Sequence, residues 1–105
     1  MNVMSTTADQ VCDTMRLLNN KSRLMILCLL HDGEKSVGEL VDAIGAREPA
    51  VSQHLALMRH HGIIQARREG RSMIYSVADP QIGQLLEALY GIYCGNEADQ
   101  RRQGT

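Results

Sequence analysis

A chain of 105 residues fits one domain and leaves little room for a second. Its 44% of hydrophobic residues can supply a core, which excludes disorder throughout. With three Tyr and no Phe or Trp, that core has to be aliphatic. Eleven Lys and Arg against twelve Asp and Glu leave a net charge of −1, which on its own predicts neither nucleic-acid nor membrane binding.

The first predicted helix covers about Thr7 to Leu18, where Val11, Met15 and Leu18 recur at four and three residues and form one apolar face. Asp9 and Asp13 fall near its expected start, where a helix dipole favours acids. After Asn19-Asn20, a second helix of about Ser22 to His31 carries Leu24, Ile26, Leu27, Leu29 and Leu30 around much of its circumference, as a central helix does. Asp32-Gly33 closes it. Ser36 followed three residues later by Glu39 is a capping box opening a short helix through Val37, Leu40, Val41 and Ile44, which Gly45 ends.

Pro49 suits the first turn of a fourth helix, whose apolar positions are Val51, Leu55 and Met58 and which stops at Gly62. Two short helices around a tight turn match a helix-turn-helix, although two helices packed for purely structural reasons look alike at this level. From Ile63 the period changes. Ile63-Ile64 begin one extended segment, and Met73, Tyr75 and Val77 alternate with Ile74 and Ser76 in another, giving a hairpin that turns around Glu69 to Ser72 with Gly70 inside the turn. Asp79 then caps a last helix with Pro80 at its first position and Ile82, Leu85, Leu86, Leu89, Ile92 and Tyr93 along it. Gly91 is a weak point within that helix, and Gly95–Thr105 reads as a polar, frayed tail. The expected fold is a mainly α winged helix-turn-helix in the order α-α-α-α-β-β-α, a single domain over 1–105 with its ordered core at about 7–94.

Charge is unevenly spread. Residues 45–72 hold five basic side chains, Arg47, Arg59, Arg67, Arg68 and Arg71, against Glu48 and Glu69, while the flanking segments are each acidic. That positive part coincides with the second helix of the pair and the hairpin, where a duplex would be contacted. Ser52, Gln53, His54 and Arg59 lie between apolar anchors on the candidate recognition helix. Gln53 has the reach for adenine in the major groove, and Ser52 and His54 for phosphates. Arg67, Arg68 and Arg71 are expected at phosphates or the minor groove. The bland alternative for all of these is a solvated, charged surface.

The first and last helices each carry an apolar stripe that a small chain cannot easily bury alone. Val11, Met15, Leu18, Leu85, Leu89 and Ile92 are therefore expected at a two-fold interface. Such a homodimer would set its recognition helices roughly 34 to 36 Å apart and read double-stranded DNA with an inverted repeat. Three widely spaced Cys match neither a disulfide-stapled scaffold nor a clustered zinc site, so reduced thiols are the expected resting state. No run approaches the roughly 20 apolar residues that span a bilayer, and Met1 to Gln10 lacks a positive stretch leading into a hydrophobic one; a cytoplasmic protein without a membrane partner is expected. Cys28 lies in the apolar second helix, where base rates make it a small buried hydrophobe with a raised pKa, and Cys94 ends the last helix. A bridge between them requires the first and last helices to bring the sulfurs together.

The segments Arg23-Leu24-Met25-Ile26-Leu27-Cys28, Ser36-Val37-Gly38-Glu39-Leu40, Val51-Ser52-Gln53-His54-Leu55 and Leu89-Tyr90-Gly91-Ile92-Tyr93-Cys94 resemble the ArsR/SmtB family of bacterial winged-helix repressors. The match is nearest to its BigR/SqrR-like branch, which is also similar to the HlyU and YgaV regulators. The resemblance runs from about Val11 to Cys94. It implies a homodimer with the first and last helices at the interface, binding operator DNA and releasing it on sensing an inducer. In this branch the implied inducer is a reactive sulfur species or an oxidant, and the matching thiols are Cys28 and Cys94. The implied product is a disulfide or polysulfide bridge within one protomer, which couples the thiol site to the operator site through two global states.

Departures from the family also matter. The metal-sensing relatives' paired-Cys motif is replaced by Gly38-Glu39-Leu40-Val41-Asp42, and the last helix has no His, so both familiar metal sites are missing; no metal or other cofactor is expected. His60 and His61 are adjacent and so point apart, and with His31 and His54 they read as DNA-face, solvent or capping residues that cluster with the DNA-reading half. Soft thiolates suit zinc or cadmium, which leaves metal binding through Cys12, Cys28 and Cys94 open. Cys12 itself is either inert or a possible extra thiol. No Cys–His pair has a nucleophile's motif context, so the chain is not expected to be an enzyme. Two rivals remain: a repressor of the same fold that senses a metal or small molecule and has structural cysteines, and a small helical protein-interaction module.

Overall fold

The computed structural model describes residues 2–94, so the tail at 95–105 lies outside the described residues. In chain order the elements are α1 (Asn2–Leu18), α2 (Lys21–Asp32), β1 (Lys35–Ser36), α3 (Val37–Ile44), α4 (Glu48–His60), β2 (Ile64–Glu69), β3 (Ser72–Val77) and α5 (Pro80–Tyr93). This is a winged helix-turn-helix with one strand more than expected. The two-residue β1 pairs antiparallel with β3, Lys35 opposite Tyr75 and Ser36 opposite Ile74, giving the strand order β1-β3-β2.

Local chemistry accounts for most element ends. Asn20 accepts the Arg23 N–H to start α2, Ser36 and Glu39 exchange both hydrogen bonds of the capping box at α3, and Asp79 accepts the Gln81 N–H ahead of Pro80 at α5. Gly45 ends α3 in the left-handed region at φ +77°, with its N–H on the Val41 carbonyl. The hairpin pairs Ile64 with Val77 through Glu69 with Ser72, so Gly70 and Arg71 form the turn as expected, with Gly70 at φ +63°.

One expectation fails at the N-terminus. Helix α1 begins at Asn2, five residues earlier than its apolar face predicts, which places Asp9 in mid-helix rather than near a positive helix end. Asp13 instead pairs with Arg16 one turn on, at 2.6 Å.

The core is aliphatic with one Met. Ile26, Leu27 and Leu30 of α2 meet Leu40 of α3, Val51, Leu55 and Met58 of α4, Ile63, Ile64, and Ile82 and Leu86 of α5, and no polar side chain of the described residues is buried with them. Helix α1 adds only the half-buried Leu17 and Leu18. Truncating a member such as Leu40 or Leu55 costs about 2–5 kcal/mol. This core holds α3, α4 and the hairpin in one orientation and leaves the rest of α1 lying outside it.

Candidate nucleic-acid interface and thiol site

Helix α4 buries Val51, Leu55 and Met58, spaced four and three residues apart, so the helical rotation of about 100° per residue points Gln53 almost directly away from the core. Ser52 and Arg59 share one exposed flank. Arg47 stands at the N-cap with its side chain free of any capping bond, ahead of Glu48 and Pro49. His54 departs from this set. It lies beside the buried stripe, half-buried, and its pKa is pushed down by desolvation and by the Arg23 guanidinium on α2.

Along β2 successive side chains alternate faces, so Arg67 and Arg68 project to opposite sides of the hairpin. The three hairpin arginines therefore do not act as one patch. Arg67 is held by two carboxylates. Its Nη2 donates to Glu34 Oε1 at 2.7 Å and its Nη1 to Glu69 Oε2, and Glu34 is in turn held below the usual carboxylate range by that bond. Among the described residues neither Arg68 nor Arg71 is in an ion pair.

Two contacts carry no local sequence signal, because each partner is set by the fold. One is Glu34 to Arg67, 33 residues apart. The other is Arg23, whose Nε and Nη2 donate to the Leu17 and Arg16 carbonyls at 2.7 and 3.2 Å and so occupy two C-terminal carbonyls of α1.

Cys28 and Cys94 line the same apolar pocket of about 250 Å³ between α2 and α5, walled by Leu24, Leu86, Leu89, Tyr90 and Tyr93. It is α2 and α5 that bring these residues together, not the first and last helices. Cys28 is also not a buried hydrophobe, since it is exposed where it lines that pocket. Its thiol still rests against the apolar wall, and partial burial first, then the Cys94 thiol and the Asp32 carboxylate, raise its pKa. Cys12 lines a separate open cleft of about 540 Å³ with Met15, Leu18, Leu85 and Leu89, next to the first pocket across Leu24 and Leu89.

Of the expected interface residues, Met15 is 53% and Ile92 64% exposed, Val11 is exposed as well, and Leu18, Leu85 and Leu89 are half-buried around the cleft that separates α1 from α5. His31 does not belong to the DNA-facing half. It sits at the end of α2 with Nε2 3.3 Å from Glu87 of α5. Nor do His60 and His61 point apart, because their rings meet edge to face at 5.3 Å. Among the described residues no group of three or more His, Cys, Asp or Glu is placed to hold a metal ion, and no helix is long and apolar enough to cross a membrane.

A helix pair that turns its second helix outward, beside an arginine-tipped hairpin, defines a winged helix-turn-helix transcriptional regulator that binds DNA, not an enzyme. The sequence model of the bacterial regulatory proteins of the arsR family matches residues 20–66. The biofilm growth-associated repressor of Xylella fastidiosa is 38% identical over 94 residues, covering 90% of this chain and 82% of that protein. The crystal structure of the transcriptional repressor BigR from Xylella fastidiosa, 38% identical, superposes with a TM-score of 0.83 over 89% of this chain and 95% of its own. The transcriptional activator HlyU of Vibrio cholerae is 36% identical over 80 residues, 76% of this chain and 74% of HlyU. The structure of reduced HlyU gives a TM-score of 0.85 at 32% identity, covering 90% of this chain and 99% of its own. The chain belongs to the ArsR family of bacterial regulatory proteins.

Proposed function

We propose that the protein is a homodimeric cytoplasmic repressor that binds an inverted-repeat operator and leaves it when Cys28 and Cys94 react with reactive sulfur species or oxidants. The observation that carries the sensing step is the pocket shared by the two cysteines, which stand 66 residues apart in sequence, one on α2 and one at the C-cap of α5, yet line the same small apolar space. Loss of two hydrogens to an oxidant joins the sulfurs as a disulfide; an organic persulfide instead passes its outer sulfur to each thiol and leaves as its own thiol, and the two cysteine persulfides then condense to a trisulfide with release of hydrogen sulfide. Either link ties the end of α5 to α2, and α5 also borders the open cleft with α1.

That cleft supports the dimer. It is lined by Met15, Leu18, Leu85 and Leu89, and a second copy would cover it together with the exposed Val11 and Ile92. The DNA face then consists of Gln53 toward base edges, with Arg47, Ser52, Arg59, Arg68 and Arg71 at phosphates and His54 at the margin of the helix.

Operator binding by the parent, Cys28→Ser and Cys94→Ser, with and without an organic persulfide, tests the sensing step. The parent is expected to release DNA and both variants to stay bound. Release by both variants as by the parent refutes the thiol mechanism. Intact mass of the treated parent separates a disulfide, two hydrogens lighter, from a bridging sulfur chain, which adds whole sulfur atoms and also loses two hydrogens.

The raised pKa of Cys28 favours a second reading, since a protonated thiol is a poor nucleophile. There the cysteines are structural and the apolar cleft beside α1 takes a small molecule. The same two variants separate the readings.

A further inference from the structure

Arg67 has a carboxylate oxygen at every guanidinium nitrogen. Nε donates to Glu34 Oε2 at 3.4 Å, Nη2 to Glu34 Oε1 at 2.7 Å, and Nη1 to Glu69 Oε2. The Glu34 contact has the fork geometry that only arginine offers a carboxylate. The cluster of one cation and two anions has a net charge of −1, so as a unit it does not attract phosphate, and freeing Arg67 for DNA would leave two carboxylates facing the duplex. Glu34 immediately precedes β1, two residues before the Ser36 cap of α3. The clamp therefore joins the hairpin to the entry of the helix pair, and it does so from the opposite side of β2 to Arg68.

We propose that Arg67 is a positioning residue: clamped by Glu34 and Glu69, it sets the angle of the hairpin against α3 and α4, while the phosphate contacts of the hairpin belong to Arg68 and Arg71. This rests on the DNA-binding reading of the hairpin. Exposed ion pairs taken singly contribute little, but a bidentate pair shared in a three-charge network is the geometry in which they count. A hairpin free to swing at its base has to be ordered before Arg68 and Arg71 settle on their phosphates, so the clamp acts on DNA affinity without touching DNA and without changing the number of phosphate contacts.

The test is fluorescence anisotropy of a labelled mixed-sequence duplex across a salt series, using variants confirmed as folded by circular dichroism. Arg68→Ala removes one phosphate contact and is expected to lower the slope of log affinity against log salt by about 0.9. Arg68→Lys keeps a cation at the phosphate and is expected to bind like the parent. Arg67→Lys also keeps the charge but loses the fork; it is expected to bind about two- to fivefold more weakly at an unchanged slope. Arg67→Gln is expected to leave the slope unchanged too.

Parent-like binding by Arg67→Lys overturns the positioning role, and a slope in Arg67→Gln reduced as much as in Arg68→Ala overturns it by making Arg67 a phosphate contact. A parent with no salt-dependent binding removes the DNA reading of the hairpin and the clamp's role with it. A parent that responds while Arg68→Ala keeps its full slope overturns only the division of labour among the arginines.

Discussion

Replacing Ser36 with Ala is expected to remove one of the two bonds that start α3. Its Oγ accepts the Glu39 N–H at 3.2 Å, and the Glu39 carboxylate accepts the Ser36 N–H at 2.9 Å. Loss of an N-cap oxygen costs about 1 kcal/mol, which in a domain of this size moves the thermal midpoint down by about 4–8 °C. Thermal unfolding followed by circular dichroism at one fixed protein concentration measures it, since a dimer's midpoint shifts with concentration. The pH dependence separates the two halves of the box. The Ser36 backbone N–H first and its hydroxyl second hold the Glu39 carboxyl below the usual carboxylate range. That contribution is complete above the usual range and is lost as pH falls through the lowered folded value. Ser36→Ala keeps the backbone N–H, so most of the acid sensitivity should survive, whereas Glu39→Gln keeps an acceptor in place and should blunt it. A midpoint for Ser36→Ala indistinguishable from the parent, or Glu39→Gln with the parent's full acid sensitivity, refutes the reasoning.

Arg23→Gln withdraws a charged donor from the Leu17 and Arg16 carbonyls; a loss of about 1–3 kcal/mol is expected in urea unfolding, together with faster amide exchange along α1. Met15→Glu and Ile92→Glu place charge on the exposed stripe and should turn a dimer into monomers in sedimentation, with weaker operator binding; dimers in both would remove these residues from the interface. Gly70→Ala puts a Cβ at φ +63° in the hairpin turn, where an added methyl has open space but the backbone is strained. Urea unfolding should show a loss of about 1 kcal/mol. Gln53→Ala is expected to relax preference at one base position by about 1–3 kcal/mol in an operator-mutation series, and unchanged discrimination there would take it out of the base-reading set.

What could be read from the chain is whatever acts within a few residues. The capping box reaches from Ser36 to Glu39, Asp79 caps the turn beside it, and Gly45 and Gly70 stand where the backbone needs positive φ. Valine, leucine and methionine three and four apart give the buried stripe of α4, and the same spacing places Gln53 on its outer side. The start of α1 is fainter: Met4 and Ala8 continue the four-and-three spacing of Val11, Met15 and Leu18, but Val3 and Met4 stay exposed and no acidic residue marks the first turn. The two-residue β1 was hidden for a different reason: it has no alternation of its own and exists only because β3 offers an edge.

Sequence alone therefore specified the order of the helices and the hairpin, the aliphatic core and the outward helix, since these follow from periodicity and from side chains reaching their own backbone, and it carried the motifs by which the chain resembles its family. Folding decided which charges are spoken for and which cysteines share a pocket. Glu34 reaches Arg67 across 33 residues, His31 turns to Glu87 and away from DNA, Cys28 lines one pocket with Cys94, and α1 stands off from α5 across an apolar cleft. Each of these depends on how distant segments pack, and a charge or a thiol has no periodicity that announces its partner.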